Sequence, residues 1–140
     1  AHLPPLKNRT KVFGRQCLYD EEDEIVGECD RLLGTATQLT IDQAFAYCRD
    51  HGGLLIPAHI DRKSASILSN LGMIPEDIPF TTLEVSKYVE LSSYKEKYPL
   101  YKIIQSSDAH ELGHIGVCQY QLEVSELTAE AIIASLKSNC

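Results

Sequence analysis

No apolar run in this sequence approaches the roughly 20 residues a membrane-spanning helix requires, and its start has no basic-then-apolar secretory pattern. Positive charge is also scarce. Thirteen Lys and Arg face 20 Asp and Glu, for a net charge of −7, and the one mild gathering is Lys7, Arg9 and Lys11. An anionic membrane and a nucleic-acid duplex are therefore poor partners on charge alone. No C-x-x-C occurs among Cys17, Cys29, Cys48, Cys118 and Cys140, which argues against a zinc ribbon or a dithiol redox motif. An odd, sparse cysteine set reads as reduced thiols of a cytoplasmic protein, with Cys48 packed in a helix. There is no internal repeat and no low-complexity segment. The first residue is Ala1 rather than Met, and Pro4-Pro5 reads as the exit from an earlier element. The expectation is a trimmed chain or a piece of a longer one.

What is present suits a globular α/β domain. An apolar share of 44% argues against disorder. At this length folding removes roughly 68% of the unfolded surface, so 1–140 is expected to be a single domain, with a lead-in over 1–39 and β/α units over 40–140. In the lead-in, 16–19 and 25–29 flank the run Asp20-Glu21-Glu22-Asp23-Glu24 and predict a β-hairpin with a charged tip. That run lacks the alternating acidic spacing of a calcium loop and reads as a solvated turn.

Thr40-Ile41-Asp42-Gln43 is a capping box. The helix it starts closes at Gly52-Gly53. Apolar 54–58 predicts a buried strand. A helix follows over 64–71, then a strand over 81–85, a helix over 92–97 and a strand over 101–105. A further strand is expected over 119–124, and Thr128 caps a last helix. Helices alternating with strands argue a largely parallel sheet.

Two segments have the same design. Leu54 to His59 and Ile103 to His110 are apolar runs that end in ligand-type side chains, the second through Ser106-Ser107-Asp108-Ala109. If extended backbone continues to His110, Asp108 and His110 project to one side. A carboxylate beside an imidazole suits a divalent metal, and β/α proteins collect their chemistry at the carboxyl ends of strands. Asp108 could alternatively cap a helix, and His59 could be a satisfied strand-end histidine. His51 reads as structural at a helix C-terminus, and Glu84 as a solvent-facing strand residue with a second reading at the mouth of the site. The role of His114 is open. His110-Glu111-Leu112-Gly113-His114 matches H-E-x-x-H, which on a helix would make a zinc protease with Glu111 as general base. Gly113 and Gly116 disfavour that helix by about 1 kcal/mol each, and the extended motif fails at Val117 and Tyr120.

Gly52-Gly53-Leu54-Leu55-Ile56-Pro57-Ala58-His59 and Ser107-Asp108-Ala109-His110 resemble, in order, the third and fourth motifs of the PHP family (polymerase and histidinol phosphatase). The resemblance covers about Thr40 to the end, and the hairpin and 71–77 also resemble a bacterial branch. It implies part of a distorted β/α barrel that binds two or three divalent ions (zinc, manganese or iron) and hydrolyses phosphate esters of a small phosphorylated molecule or a nucleotide. By motif match, His59, Asp108 and His110 would be metal ligands. The family's opening H-x-H is absent: none of His2, His51, His59, His110 and His114 forms one. The expectation is therefore a carboxyl-terminal portion, inactive until completed. Its bare sheet edge would pair with the missing half or with a second copy. A non-catalytic PHP-like binding or regulatory module is the rival reading, and the H-E-x-x-H protease a lesser one.

Overall fold

The computed structural model describes residues 2–118 and 120–138. The chain divides into two compact units, Ala1–Gln43 and Ala44–Cys140.

The first unit holds the expected hairpin. Strand β1 (Cys17–Tyr19) pairs antiparallel with β2 (Ile25–Glu28), with a register shift between Leu18 and Tyr19. The acidic tip is a turn organised by Asp20, whose Oδ1 accepts from the backbone N–H of Glu22 and Glu24 at 3.1 and 2.9 Å. That is the local competition with the ladder that makes Asp a turn residue. Gln16 ties both sides of the base, donating to the Cys29 and Arg31 carbonyls and accepting from Leu33 N–H. Arg15 reaches Glu28 at 3.2 Å, and this hydrogen bond is the main cause raising its pKa. One helical turn, α1 (Thr10–Phe13), precedes β1 and was not expected. Among the described residues of this unit no side chain is fully buried.

Helix α2 (Ile41–Asp50) starts at the predicted capping box: Thr40 Oγ1 accepts from Gln43 N–H at 3.2 Å, and Gln43 Oε1 accepts from Thr40 N–H at 3.0 Å. Its body lies in the second unit, where Phe45 meets Phe80 edge-on at 6.0 Å. Gly52 closes it with φ 75°.

The second unit is built on a parallel pair. Strand β3 (Thr82–Ser86) and β4 (Lys102–Ser106) run in register from Thr82↔Lys102 to Ser86↔Ser106, joined through α4 (Leu91–Lys97). Leu83 and Val85 are fully buried and Ile103 nearly so; with Ile60, Ile74, Ile78 and Phe80 they make the core. The continuous burial of β3 is what a strand covered on both faces requires. Helix α3 (Ile67–Leu71) is shorter than the expected 64–71 because Ser66 caps it, accepting from Ser69 N–H, and Gly72 ends it in the left-handed region. Helix α5 (Ala129–Lys137) is capped by Thr128 as predicted. Its last turn is fastened to the entry end of the sheet, where the Leu136 carbonyl accepts from Thr81 and Thr82 and the Ser135 carbonyl from Lys102 Nζ. The exit ends of the strands are left for other side chains.

Two strand expectations are corrected. Residues 54–58 form no regular strand, for a reason given below. Of the strand expected over 119–124, Gln119 lies outside the described residues and 120–124 are irregular. Cys140 lies outside as well, while Cys17, Cys29, Cys48 and Cys118 are free thiols. The described residues thus form a mixed α/β structure with one antiparallel hairpin and one two-stranded parallel sheet, and no closed barrel among them. No described helix is long and apolar enough to cross a membrane.

Candidate metal centre

The segment after Gly53 does run beside β3. Glu84 N–H donates to the Pro57 carbonyl at 3.0 Å, and Ile60 N–H donates to the Glu84 carbonyl at 2.9 Å. Lys102 N–H takes the Thr81 carbonyl, so odd-numbered β3 carbonyls face β4 and residue 84 faces the opposite edge. In a regular parallel ladder the second of these bonds would come from residue 59. Here it comes from residue 60, so Ala58 and His59 together oppose Glu84. That one extra residue is a bulge; on its other side Pro57 has no N–H to give the Thr82 carbonyl, so the ladder does not extend back along 54–57. The bulge turns His59 to φ 31°, a conformation that costs a non-glycine residue about 1–3 kcal/mol.

The displaced His59 N–H points at Glu84 Oε1, 3.4 Å away. The ring is half-buried, and its Nδ1 is shielded from solvent with no hydrogen-bond partner. Glu84 is correspondingly not the solvent-facing residue expected. It is half-buried in a strand whose other four residues are buried.

Beyond β4 the extended backbone stops. Asp108 has φ 47°, so the alternation that would put Asp108 and His110 on one side does not hold, and no helix starts there for Asp108 to cap. The two side chains still approach by another route. His110 Nδ1 lies 2.9 Å from the Asp108 carbonyl and 3.9 Å from its Oδ1. A ring that donates Nδ1–H to a carbonyl keeps its Nε2 lone pair outward, the arrangement metal-binding imidazoles share. His110 itself is 77% exposed along its side chain.

Asp108 is only 24% exposed, and its Oδ2 lies 2.7 Å from Arg62 Nη2. That approach lies off the hydrogen-bonding direction, so buried Oδ2 has no hydrogen-bond donor. Arg62 belongs to the turn that follows the bulge, where its N–H donates to the His59 carbonyl at 3.0 Å. The Arg62–Asp108 pair thus joins the two segments that carry the sequence-predicted ligands.

The neighbouring Asp61 fastens the same turn to the end of β3. Its carboxylate accepts from Ser86 N–H at 2.7 Å and from Ser86 Oγ at 2.6 Å. Gln105 Nε2 donates to the Ser86 and Val89 carbonyls at 3.0 and 2.9 Å and closes the strand ends. Sequence reasoning passed over Asp61 and Arg62. The available signal was a carboxylate and a guanidinium within three residues of a strand-end histidine.

Residues 112–114 form a single 3-10 turn, flanked by exposed residues. His110 and His114 therefore do not share a helical face, and the H-E-x-x-H geometry is not made. His51, just past the end of α2, has Nδ1 2.8 Å from the Tyr47 carbonyl and its ring stacked on Tyr47.

The donor chemistry fits a borderline divalent ion: an imidazole nitrogen and a carboxylate oxygen, both buried and both lacking a hydrogen-bond donor or acceptor. Their number falls short of a cage. Among the described residues no three His, Cys, Asp or Glu side chains are gathered to hold an ion. No protein-family model, curated protein or solved structure matches the chain.

Proposed function

We propose that this chain carries the third and fourth metal-binding segments of a PHP-type, metal-dependent phosphoesterase. The observation that carries the reading is the bulge at His59: a strained, shielded imidazole with an unused nitrogen, three residues from an arginine that contacts Asp108. Unpartnered buried polar atoms are uncommon, and backbone strain concentrates where a side chain must be aimed. In this reading His59, Asp108 and His110 would hold the ion, together with ligands from an H-x-H element outside this sequence. A bound zinc, manganese or iron ion would supply Lewis acidity toward the phosphoryl group and a nucleophile at neutral pH. The chain's own residues orient and hold. The Asp108 carbonyl fixes the His110 ring, and the Asp61–Ser86 bonds hold the turn that bears His59 and Arg62. The substrate class is a small phosphorylated molecule or a nucleotide, and the free thiols suit a cytoplasmic setting.

A second reading, a non-catalytic module that keeps the fold remnant, is favoured by the shortage of gathered ligands among the described residues. Hydrolysis of a phosphate monoester by a chain extended upstream to include the H-x-H element, supplied with manganese or zinc, separates the two. The enzyme reading expects turnover that falls at least about 100-fold in Asp108→Ala. Turnover indifferent to Asp108, or none with any metal, contradicts it.

A further inference from the structure

We propose that two copies of this chain join through an apolar cleft at the entry end of the parallel sheet, each copy seating Leu100 in the cleft of the other. The cleft has a volume of about 730 Å³ and two walls. One wall is the end of α3 and the residues after it, with Leu68, Met73 and Glu76. The other is the connection from α4 into β4, with Lys97, Tyr98 and Tyr101. It opens beside the first residue of β4, whereas Asp108 follows the last, so this face is distinct from the candidate metal centre.

The face carries both a knob and a hole. Pro99 presets the turn over 98–101, which Tyr101 N–H closes on the Tyr98 carbonyl at 3.1 Å. That turn holds Leu100 out in solvent, 78% exposed. On the facing wall Met73, beyond the Gly72 that ends α3, is 65% exposed. A two-fold axis sets each copy's knob into the other's hole, because an isologous interface contacts itself. Tyrosine and methionine are side chains that interfaces favour.

Charge selects a second copy as the occupant. The chain as a whole carries −7, so two copies repel over most of their surfaces. The lining of this cleft is neutral, with one cation and one anion, Lys97 and Glu76, on opposite walls. Among the described residues neither is in an ion pair. Lys97 Nζ is held over the Tyr98 and Tyr94 rings, 5.3 and 6.0 Å from their centroids, which steadies its charge at the edge of the cleft. The same two-fold axis carries Lys97 of each copy to Glu76 of the other.

Sedimentation equilibrium of the full chain and its variants tests this, with thermal melts to verify folding. The wild type should show a monomer–dimer equilibrium that stops at two copies. Leu100→Asp, Lys97→Glu and Glu76→Lys should each weaken it at least about tenfold, since each buries a charge in the apolar contact or sets like charges face to face. Lys97→Glu mixed with Glu76→Lys should recover a heterodimer within about threefold of wild-type affinity, because every like-charged pair becomes an opposite one. A merely structural role, or a small ligand in the cleft, would give no recovery on mixing. A wild type that stays monomeric to about 1 mM overturns the proposal and leaves the cleft to another occupant. A dimer that all three substitutions leave intact sits on a different face and overturns it equally. Folded single variants that dissociate without recovery on mixing overturn the two-fold pairing.

Discussion

At the scale of single residues, the site region depends on one carboxylate that the sequence reading did not select. Asp61 accepts both donors of Ser86, a residue only 3% exposed. Removing the acceptor strands a buried N–H and a buried hydroxyl at the end of β3. Asp61→Ala is expected to lower unfolding stability by about 2–4 kcal/mol in denaturant titration, since hydrogen bonds to charged groups and orphaned donors are the costly ones. A loss below about 0.5 kcal/mol would show that water takes over both bonds. His59 and Asp108 were legible as candidates because each ends an apolar run in a ligand-type side chain. Their left-handed backbone was not legible: neither is glycine or asparagine, and the demand comes from pairing with Glu84 and from the turn beyond Ser106, which are tertiary facts.

At the scale of elements, local chemistry was a good guide wherever both ends of an element carried their own signal. The Thr40–Gln43 capping box, the Thr128 cap and the hairpin with its Asp20-centred turn all formed where the side chains specify them. Thr128→Ala should cost about 1 kcal/mol of stability by thermal or chemical unfolding, with α5 losing the bond to Ala131 N–H. No measurable change would mean that the fastening of Leu136 and Ser135 to Thr82 and Lys102 holds the helix by itself. The apolar run 54–58 misled because hydrophobicity reports burial beside a sheet and not the count of residues between two ladder bonds. Pro57, which has no N–H for the Thr82 carbonyl, and the one inserted residue after it break the ladder without altering the apolar pattern. The H-E-x-x-H letters misled in the opposite way. Glycine at 113 and 116 keeps the segment to one 3-10 turn, so the motif lacks the helix that gives it meaning.

At the scale of the whole molecule, the two units differ in what holds them. Among the described residues, the buried apolar ones, Ile60 through Ile103, all lie in Ala44–Cys140. The described part of Ala1–Gln43 relies on backbone pairing and side-chain caps, and leaves Val12, Phe13, Leu18, Tyr19, Ile25 and Val26 more than half exposed. A two-stranded hairpin without a covered face is marginal by itself. Alternating helices and strands made the α/β class and the parallel pair readable from sequence. A barrel was expected only through the resemblance, and the described strands do not form one.

The central claim is that His59 and Asp108 serve one cation. X-ray absorption at the metal edge of the zinc- or manganese-loaded protein tests it most directly. The account predicts imidazole scattering that diminishes in His59→Ala, and a metal occupancy that falls in Asp108→Ala. A metal spectrum identical in wild type and His59→Ala, at equal occupancy, would contradict it.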